Sequence, residues 1–277
     1  MEEALTTLAE IERKLAHLRD DAGLRTSVLT HMAWVPPEWE HAALDTLAGL
    51  AERHPSRTIL LLPEPDAEDG LDAHVSLHPF TMPGLELNVC SEIIELRLRG
   101  NRTVAPASIV APLLIADLPA FLRWRGRPPF GEEPFEQLIE VADRLIVDST
   151  EWPDLPGSYA ALAGVFDRVA VSDIAWARTS RWRAQLASLW PAIADVRSVH
   201  VHGTAAQAHL LVGWLRSRLR REIELEHTQA DRLEGVDVDG EPAPFPPGDP
   251  PAPSDLLSDE LDRYGRDPVY EAAVRAA

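Results

Sequence analysis

The sequence predicts an α/β fold of mainly parallel sheets flanked by helices, in two α/β parts, with a Pro-rich linker and a short helical C-terminal tail. Three observations predict it. Short apolar runs recur along the chain, as at Thr58–Leu62 (TILLL), Leu145–Val147 and Val169–Val171. Strands buried on both faces of a parallel sheet read this way. Stretches of helical period separate these runs. The alternation then gives way to Glu241–Ser254 (EPAPFPPGDPPAPS), whose prolines favour an extended linker over packed structure.

Taken in order, Leu5, Leu8, Ile11, Leu15 and Leu18 fall at helical intervals within residues 2–21 and predict an amphipathic helix. Arg25–Val35 is apolar and β-prone, a first strand ended by Pro36-Pro37. Glu38–Arg53 reads as a helix stopped by His54-Pro55, and Thr58–Leu62 as a short buried strand. His74–Leu77 and Val89–Arg99 read as two more strands joined through Thr81-Met82-Pro83-Gly84. The second alternates in part, as a half-exposed or edge strand does.

After Gly100 the strand-plus-helix rhythm resumes. Leu113–Ile115 is expected to precede a helix near Leu118–Trp124, and Leu145–Val147 one near Leu155–Val165. Val169–Val171 precedes Trp176–Trp190, and Val199–Val201 precedes Thr204–Arg220. Asp255–Tyr264 and Pro268–Arg275 read as short helices of an acidic tail. The Pro/Gly stretch Trp152–Gly157 is a candidate hinge. The expected domains are therefore 1–160, 161–240, and 241–277 for linker and tail.

Composition bounds the function. Asp and Glu number 45 against 26 Lys and Arg, a net charge of −19, of which −11 lies from Glu222 onward. Such a field repels phosphate backbones and anionic lipid, so neither nucleic acid nor a membrane surface is an expected partner. No stretch approaches the ~18 apolar residues that span a bilayer. The first twenty residues are acidic and amphipathic, unlike a signal peptide. Cys90 is the single cysteine, so no intrachain disulfide or cysteine-based zinc site is expected, which suits a cytoplasmic location. Lys14 is the one lysine, which removes P-loop and Schiff-base lysines from the rest of the chain.

Familiar catalytic signatures are missing: no G-x-G-x-x-G, Walker A, G-x-S-x-G or H-E-x-x-H is present. Asp117, Asp148 and Asp173 each follow an apolar run. In parallel sheets the ligand crevice lies at that end of the strands, so these carboxylates offer a rim for catalysis or Mg²⁺. Asp before a helix also caps its free N–H groups, and that is the favoured reading. His200-Val-His202 places two imidazoles on one strand face, but no third ligand is evident, and no metal or cofactor is assigned.

The Trp and Arg clusters are more informative. Arg123, Arg125 and Arg127 surround Trp124; Arg178, Arg181 and Arg183 surround Trp182; Trp214 precedes Arg216, Arg218, Arg220 and Arg221. Trp and Arg dominate binding hot spots, so Arg123, Trp124, Arg125, Arg178, Arg181, Trp182 and Arg183 are the candidate partner-binding residues. Core Trp residues with Arg on the rim would leave the same pattern. Bound sugar phosphate is a weaker expectation for such arginines.

Several blocks together resemble one family. They are CSEIIELRLRG (Cys90–Gly100), DLPAFLRWRGRPP (Asp117–Pro129), DRLIVDST (Asp143–Thr150), SDIAWARTSRWRAQLASLW (Ser172–Trp190), VGWLRSRL (Val212–Leu219) and SDLLSDELDRYGRDPVYEAAV (Ser254–Val274). Their order and spacing resemble the OpcA family of glucose-6-phosphate dehydrogenase assembly proteins. The resemblance implies a cytoplasmic, non-catalytic allosteric partner that binds this enzyme and promotes its active oligomer in the pentose phosphate pathway. It implies no catalytic residues. The segment after Leu219, compressed into Glu222–Gly240, is shorter than the family pattern. The runner-up expectation is an α/β enzyme or sensor acting on a phosphorylated sugar through the Asp rim.

Overall fold

The computed structural model describes residues 5–22, 27–50, 56–81 and 88–277, with side chains for all of these except 19–22, 48–49, 78–81 and 88–90. The sequence signals at His54-Pro55 and Met82-Pro83-Gly84 lie outside the described residues. The α/β class holds: strands form a seven-stranded, mostly parallel sheet and a four-stranded sheet. The chain divides into two compact units, 1–146 and 147–277. Among the described residues no helix is long and apolar enough to cross a membrane.

The first unit holds α1 (Leu8–Ala22), β1 (Leu29–Trp34), α2 (Glu40–Leu50), β2 (Ser56–Glu64), β3 (Gly70–Thr81), β4 (Asn88–Arg99), α3 (Pro106–Val110), β5 (Ala120–Trp124), α4 (Glu133–Glu140) and β6 (Arg144–Val147). β1 pairs in parallel with β2 on one side and β5 on the other. Every residue of β1 and β5 is buried, as strands covered on both faces must be. Thr7 and Glu10 open α1 as a capping box: Thr7 Oγ1 accepts from the Glu10 N–H, while the Glu10 carboxylate accepts from the Thr6 and Thr7 N–H groups. Ile11 and Leu15 are its buried stripe.

Two expectations are corrected here. β4 is the half-exposed strand of the two alternatives, not the edge strand. It lies between β2, to which it is parallel, and β3, to which it is antiparallel. Its alternation remains because Ile94, Leu96 and Leu98 enter the core while Arg97 turns to the other face and pairs with Glu40 and Glu64 at 2.6 and 3.1 Å. The second correction concerns a strand and a helix. The strand expected at Leu113–Ile115 is absent, since Leu113 ends the 3-10 turn Ala111–Leu113 and Leu114 and Ile115 are irregular, and the helix expected near Leu118–Trp124 is the strand Ala120–Trp124. Between them the Leu118 N–H donates to the Ile115 carbonyl, with Asp117 at φ 66°. That left-handed residue breaks any helical register. The AFLRW run beyond it is wholly apolar on both faces apart from Arg123, and pairing with β1 buries it.

The second unit contains α5 (Gly157–Ala163), β7 (Ala170–Asp173), α6 (Ile174–Arg178), α7 (Ser180–Ala187), β8 (Ser198–Gly203), α8 (Ala205–Leu219), β9 (Glu224–Gln229), β10 (Gly235–Val238), β11 (Glu241–Pro242), α9 (Pro253–Leu261) and α10 (Pro268–Arg275). The single helix expected over Trp176–Trp190 is two, parted at Thr179, whose hydroxyl donates to the Trp176 carbonyl. β8 is the centre of the four-stranded sheet, parallel to β9 and antiparallel to β10. Val199, Val201 and Val236 face a core shared with Trp182, Leu186, Leu211 and Leu215. Thr204 and Gln207 form a reciprocal capping box at the start of α8.

The C-terminal helix is more than a tail. Tyr270 and Ala273 on α10 are fully buried. A Cβ at Gly213 of α8 would collide with the Ala273 carbonyl oxygen, so glycine lets the two helices close. Arg216 secures this docking by donating to the Ala276 carbonyl at 3.1 Å. The Pro-rich segment is likewise tied down over part of its length. Proline lacks an N–H, so its carbonyls stay free as acceptors, and the Arg181 guanidinium donates to those of Pro246, Pro247 and Gly248. Phe245 meets Trp182 edge-on at 5.5 Å.

Candidate functional site

The candidate residues fall into one cluster in each unit. In the first, β5 carries Arg123 and Trp124 into the core, with 5% and 3% of their surface exposed. Trp124 stacks on Trp34 of β1, its direct register partner, with ring centres 4.9 Å apart and planes 12° from parallel. Phe135 of α4 meets its other side edge-on at 5.3 Å. Arg123 donates to the Trp124 and Ile146 carbonyls. Arg125 lies over the Trp39 ring at 4.6 Å. Strand alternation sends Arg123 and Trp124 to opposite faces of the sheet, and because β5 is buried throughout, neither reaches solvent.

In the second unit, Trp182 is 4% exposed and faces the core. Arg178 donates to both carboxylate oxygens of Asp148 at 2.8 Å. Arg181 holds the Pro-rich carbonyls, and Arg183 stacks on the Trp176 ring at 3.3 Å. Burial lowers the Arg183 pKa to about 10, against the pull of Asp267. Thus the arginines flanking Trp182 are engaged within the unit, and Trp124 and Trp182 are core residues with Arg around them.

The Asp rim resolves unequally. Asp148 caps the 3-10 turn Ser149–Glu151, accepting from the Thr150 N–H and, at 2.6 Å, from its hydroxyl. Asp173 caps α6 through the Ala175 N–H and accepts from the Ser149 N–H, the Ser149 hydroxyl at 2.6 Å and the Tyr270 hydroxyl at 3.3 Å. The Ser149 hydroxyl also bonds Tyr159. Burial, and then the Asp148 charge, push the Asp173 carboxyl up to about 6, although its Ser149 and Ala175 hydrogen bonds oppose the shift. Burial also pushes the Tyr159 and Tyr270 hydroxyls well above their usual range. A serine beside an acid with a raised pKa suggests chemistry. Yet Ser149, Tyr159, Asp173 and Tyr270 are each 2% exposed or less. The network joins the α5, α6 and α10 packing and offers no face to a substrate. Asp117 departs from the capping expectation: it sits in the left-handed turn before β5.

Two features escaped the sequence reading. A cavity of about 460 Å³ lies beside Trp182, lined by Arg178, Arg181, Arg232, Phe245 and Leu256 among others. Arg178 is paired with Asp148 and Arg232 with Glu234 at 3.6 Å, Arg181 is spent on neutral carbonyls, and Glu234 and Asp249 also line the cavity, so a phosphate meets little net positive charge. Exposed aromatics are the second feature: Trp190, Phe245 and Tyr264 are 66%, 64% and 63% exposed. Trp190 follows α7 immediately before Pro191, and its place beyond the last helical turn was the signal available.

Comparison with known proteins fits this picture. Residues 48–164 match the family described as glucose-6-phosphate dehydrogenase subunit N-terminal domain, and residues 169–244 its C-terminal domain. Three cyanobacterial relatives carry the name "Putative OxPP cycle protein OpcA". The one from Nostoc punctiforme is 28% identical over 61% of this chain and 39% of its own length. The Synechocystis protein is 25% identical over 62% and 38%, and the Synechococcus elongatus protein 25% identical over 73% and 50%. The matches thus cover half or less of each relative's length. With both family domains present in order, and with the α/β architecture described above, the chain belongs to the OpcA family.

Proposed function

We propose that this chain is a non-catalytic cytoplasmic partner of glucose-6-phosphate dehydrogenase that binds the enzyme and favours its active oligomer, supporting the oxidative pentose phosphate pathway. The observation that carries the reading is the pair of consecutive family matches over 48–164 and 169–244. A binding protein of this kind acts by preferring one quaternary state of its partner, and needs no chemistry of its own. The sealed Ser149–Asp173 network supports the same reading, because its acid is spent on hydrogen bonds inside the unit.

The contact residues are reassigned on burial. Trp190 and Phe245 present aromatic surface, which Trp124 and Trp182 do not. Exposed aromatics are frequent anchors of protein interfaces. Arg125 and Arg181 would then act as supports of the surface rather than as its anchors.

The test mixes the purified chain with its cognate dehydrogenase and follows activity alongside light scattering after size exclusion. A shared peak, with a larger enzyme oligomer or raised turnover, is expected. Trp190→Ala should weaken association about 30-fold, the effect of losing a hot-spot Trp, with an unchanged circular dichroism spectrum. Absence of both association and activation by the wild-type chain would defeat the assignment.

A further inference from the structure

The four-stranded sheet of the second unit has one face on the core and one turned away from it. On β8 the residues alternate strictly, with Val199 and Val201 inward and His200 and His202 on the outer side, partly exposed. Strand pairing brings further polar groups beside them. Asp237 of β10 stands opposite His200, and Glu226 and Thr228 of β9 are in register with His200 and His202. The sequence shows two imidazoles and no third ligand. The antiparallel return of β10, 35 residues from His202, supplies one.

The geometry is that of a metal site. One oxygen of Asp237, Oδ2, is 3.2 Å from His202 Nε2 and 3.5 Å from His200 Nδ1. One donor atom from each of the three side chains lies within 4.8 Å of the others. Ligand atoms around a tetrahedral zinc ion, with bonds of about 2.0–2.2 Å, stand about 3.3–3.6 Å apart. Small side-chain rotations close the difference. The ring of His200 is also held in the orientation a ligand needs. Its Nε2 lies 2.8 Å from Thr228 Oγ1. With the proton on Nε2 donated to that hydroxyl, the lone pair of Nδ1 points toward Asp237. A metal-binding histidine is commonly fixed in this way, by a hydrogen bond from its other nitrogen. Gly235, opposite His202, leaves room above the ring.

We propose that His200, His202 and Asp237 form a binding site for a borderline divalent transition metal of the zinc class. Two imidazoles with one carboxylate select Zn²⁺, Co²⁺ or Ni²⁺ over Mg²⁺ and Ca²⁺, which require oxygen ligands. The three side chains are 30%, 35% and 28% exposed, so an ion can enter and one coordination position stays open to water or to an incoming ligand. The net charge of −19, with Glu226 beside His200 in register, favours a cation.

The experiment uses the full chain, freed of metal by chelation, titrated with ZnCl₂ in a calorimeter and with Co²⁺ by visible absorption. One equivalent should bind saturably, Co²⁺ should give the intense visible bands of a four-coordinate site, and Mg²⁺ should give no heat. Asp237→Asn and His202→Ala should each weaken binding by more than tenfold. Thr228→Val, which leaves all three ligands in place, should weaken it about tenfold through loss of the orienting hydrogen bond. Thr228→Val guards against a ligand variant that fails to fold, and circular dichroism identifies such a variant. Zinc that binds the wild type and the folded variants equally lies elsewhere on the chain and overturns the proposal. Weak binding without saturation, the signature of adventitious surface contact, overturns it as well.

Discussion

Trp124→Ala separates a core role from a contact role for the aromatic at the end of β5. The residue is 3% exposed, stacked on Trp34 at 4.9 Å and met edge-on by Phe135 at 5.3 Å. A tryptophan buries about 200 Å², which at roughly 25 cal/mol/Å² is about 5 kcal/mol of transfer free energy. Measured losses for buried Trp→Ala run about 3–5 kcal/mol, since neighbours relax only in part. The Trp34 ring would lose its stacking partner, so relaxation here cannot refill the space with another ring. With a urea m-value of about 2 kcal/mol/M, a loss of about 4 kcal/mol lowers the midpoint by about 2 M. Urea unfolding followed by far-ultraviolet circular dichroism reads that shift, and the near-ultraviolet signal of the Trp34–Trp124 pair should fall with it. Trp124→Phe, which retains a ring, should lose less. A folded Trp124→Ala chain with an unchanged midpoint, weakened only in dehydrogenase binding, would refute the reasoning and restore Trp124 as a contact residue.

Other outcomes follow from the same geometry. Gly213→Val should drive α10 off α8, because the new side chain meets the Ala273 carbonyl; a cost of about 1–3 kcal/mol and faster proteolysis between α9 and α10 are expected, and a wild-type melting temperature would count against it. Asp173 has a folded pKa raised to about 6 from the ordinary 3.8, so its stabilising contribution is complete below about 4 and is lost as pH rises through about 6. The wild type should therefore lose stability relative to Asp173→Asn across that window, by up to ~3 kcal/mol, and parallel stability–pH curves for the two would remove Asp173 as the cause. Arg181→Ala removes the donors that hold the Pro246, Pro247 and Gly248 carbonyls, so proteolysis in 244–252 should accelerate while the rest of the unit persists; an unchanged digestion pattern would show that the Phe245–Trp182 contact alone is enough.

The sequence by itself determined the fold class and most of the elements. Runs such as TILLL and RLIV suit strands covered on both faces, and the Leu8–Leu15 spacing suits a one-sided helix. The caps at Asp148 and Asp173 were equally legible, because capping is a contact between near neighbours. The order of the OpcA-like blocks identified the family for a similar reason: it is written along the chain. Tertiary structure decided what depends on residues far apart. AFLRW carries no local signal that chooses strand over helix, and its pairing with β1 makes the choice. A Trp among arginines reads alike in a core or at an interface, and only the arrival of Trp34 and Phe135 on Trp124, or of Phe245 on Trp182, tells them apart. The partner of His200 and His202 was invisible for the same cause. Asp237 reaches them through the antiparallel return of β10, and a register between strands is set by packing and pairing rather than by spacing along the chain.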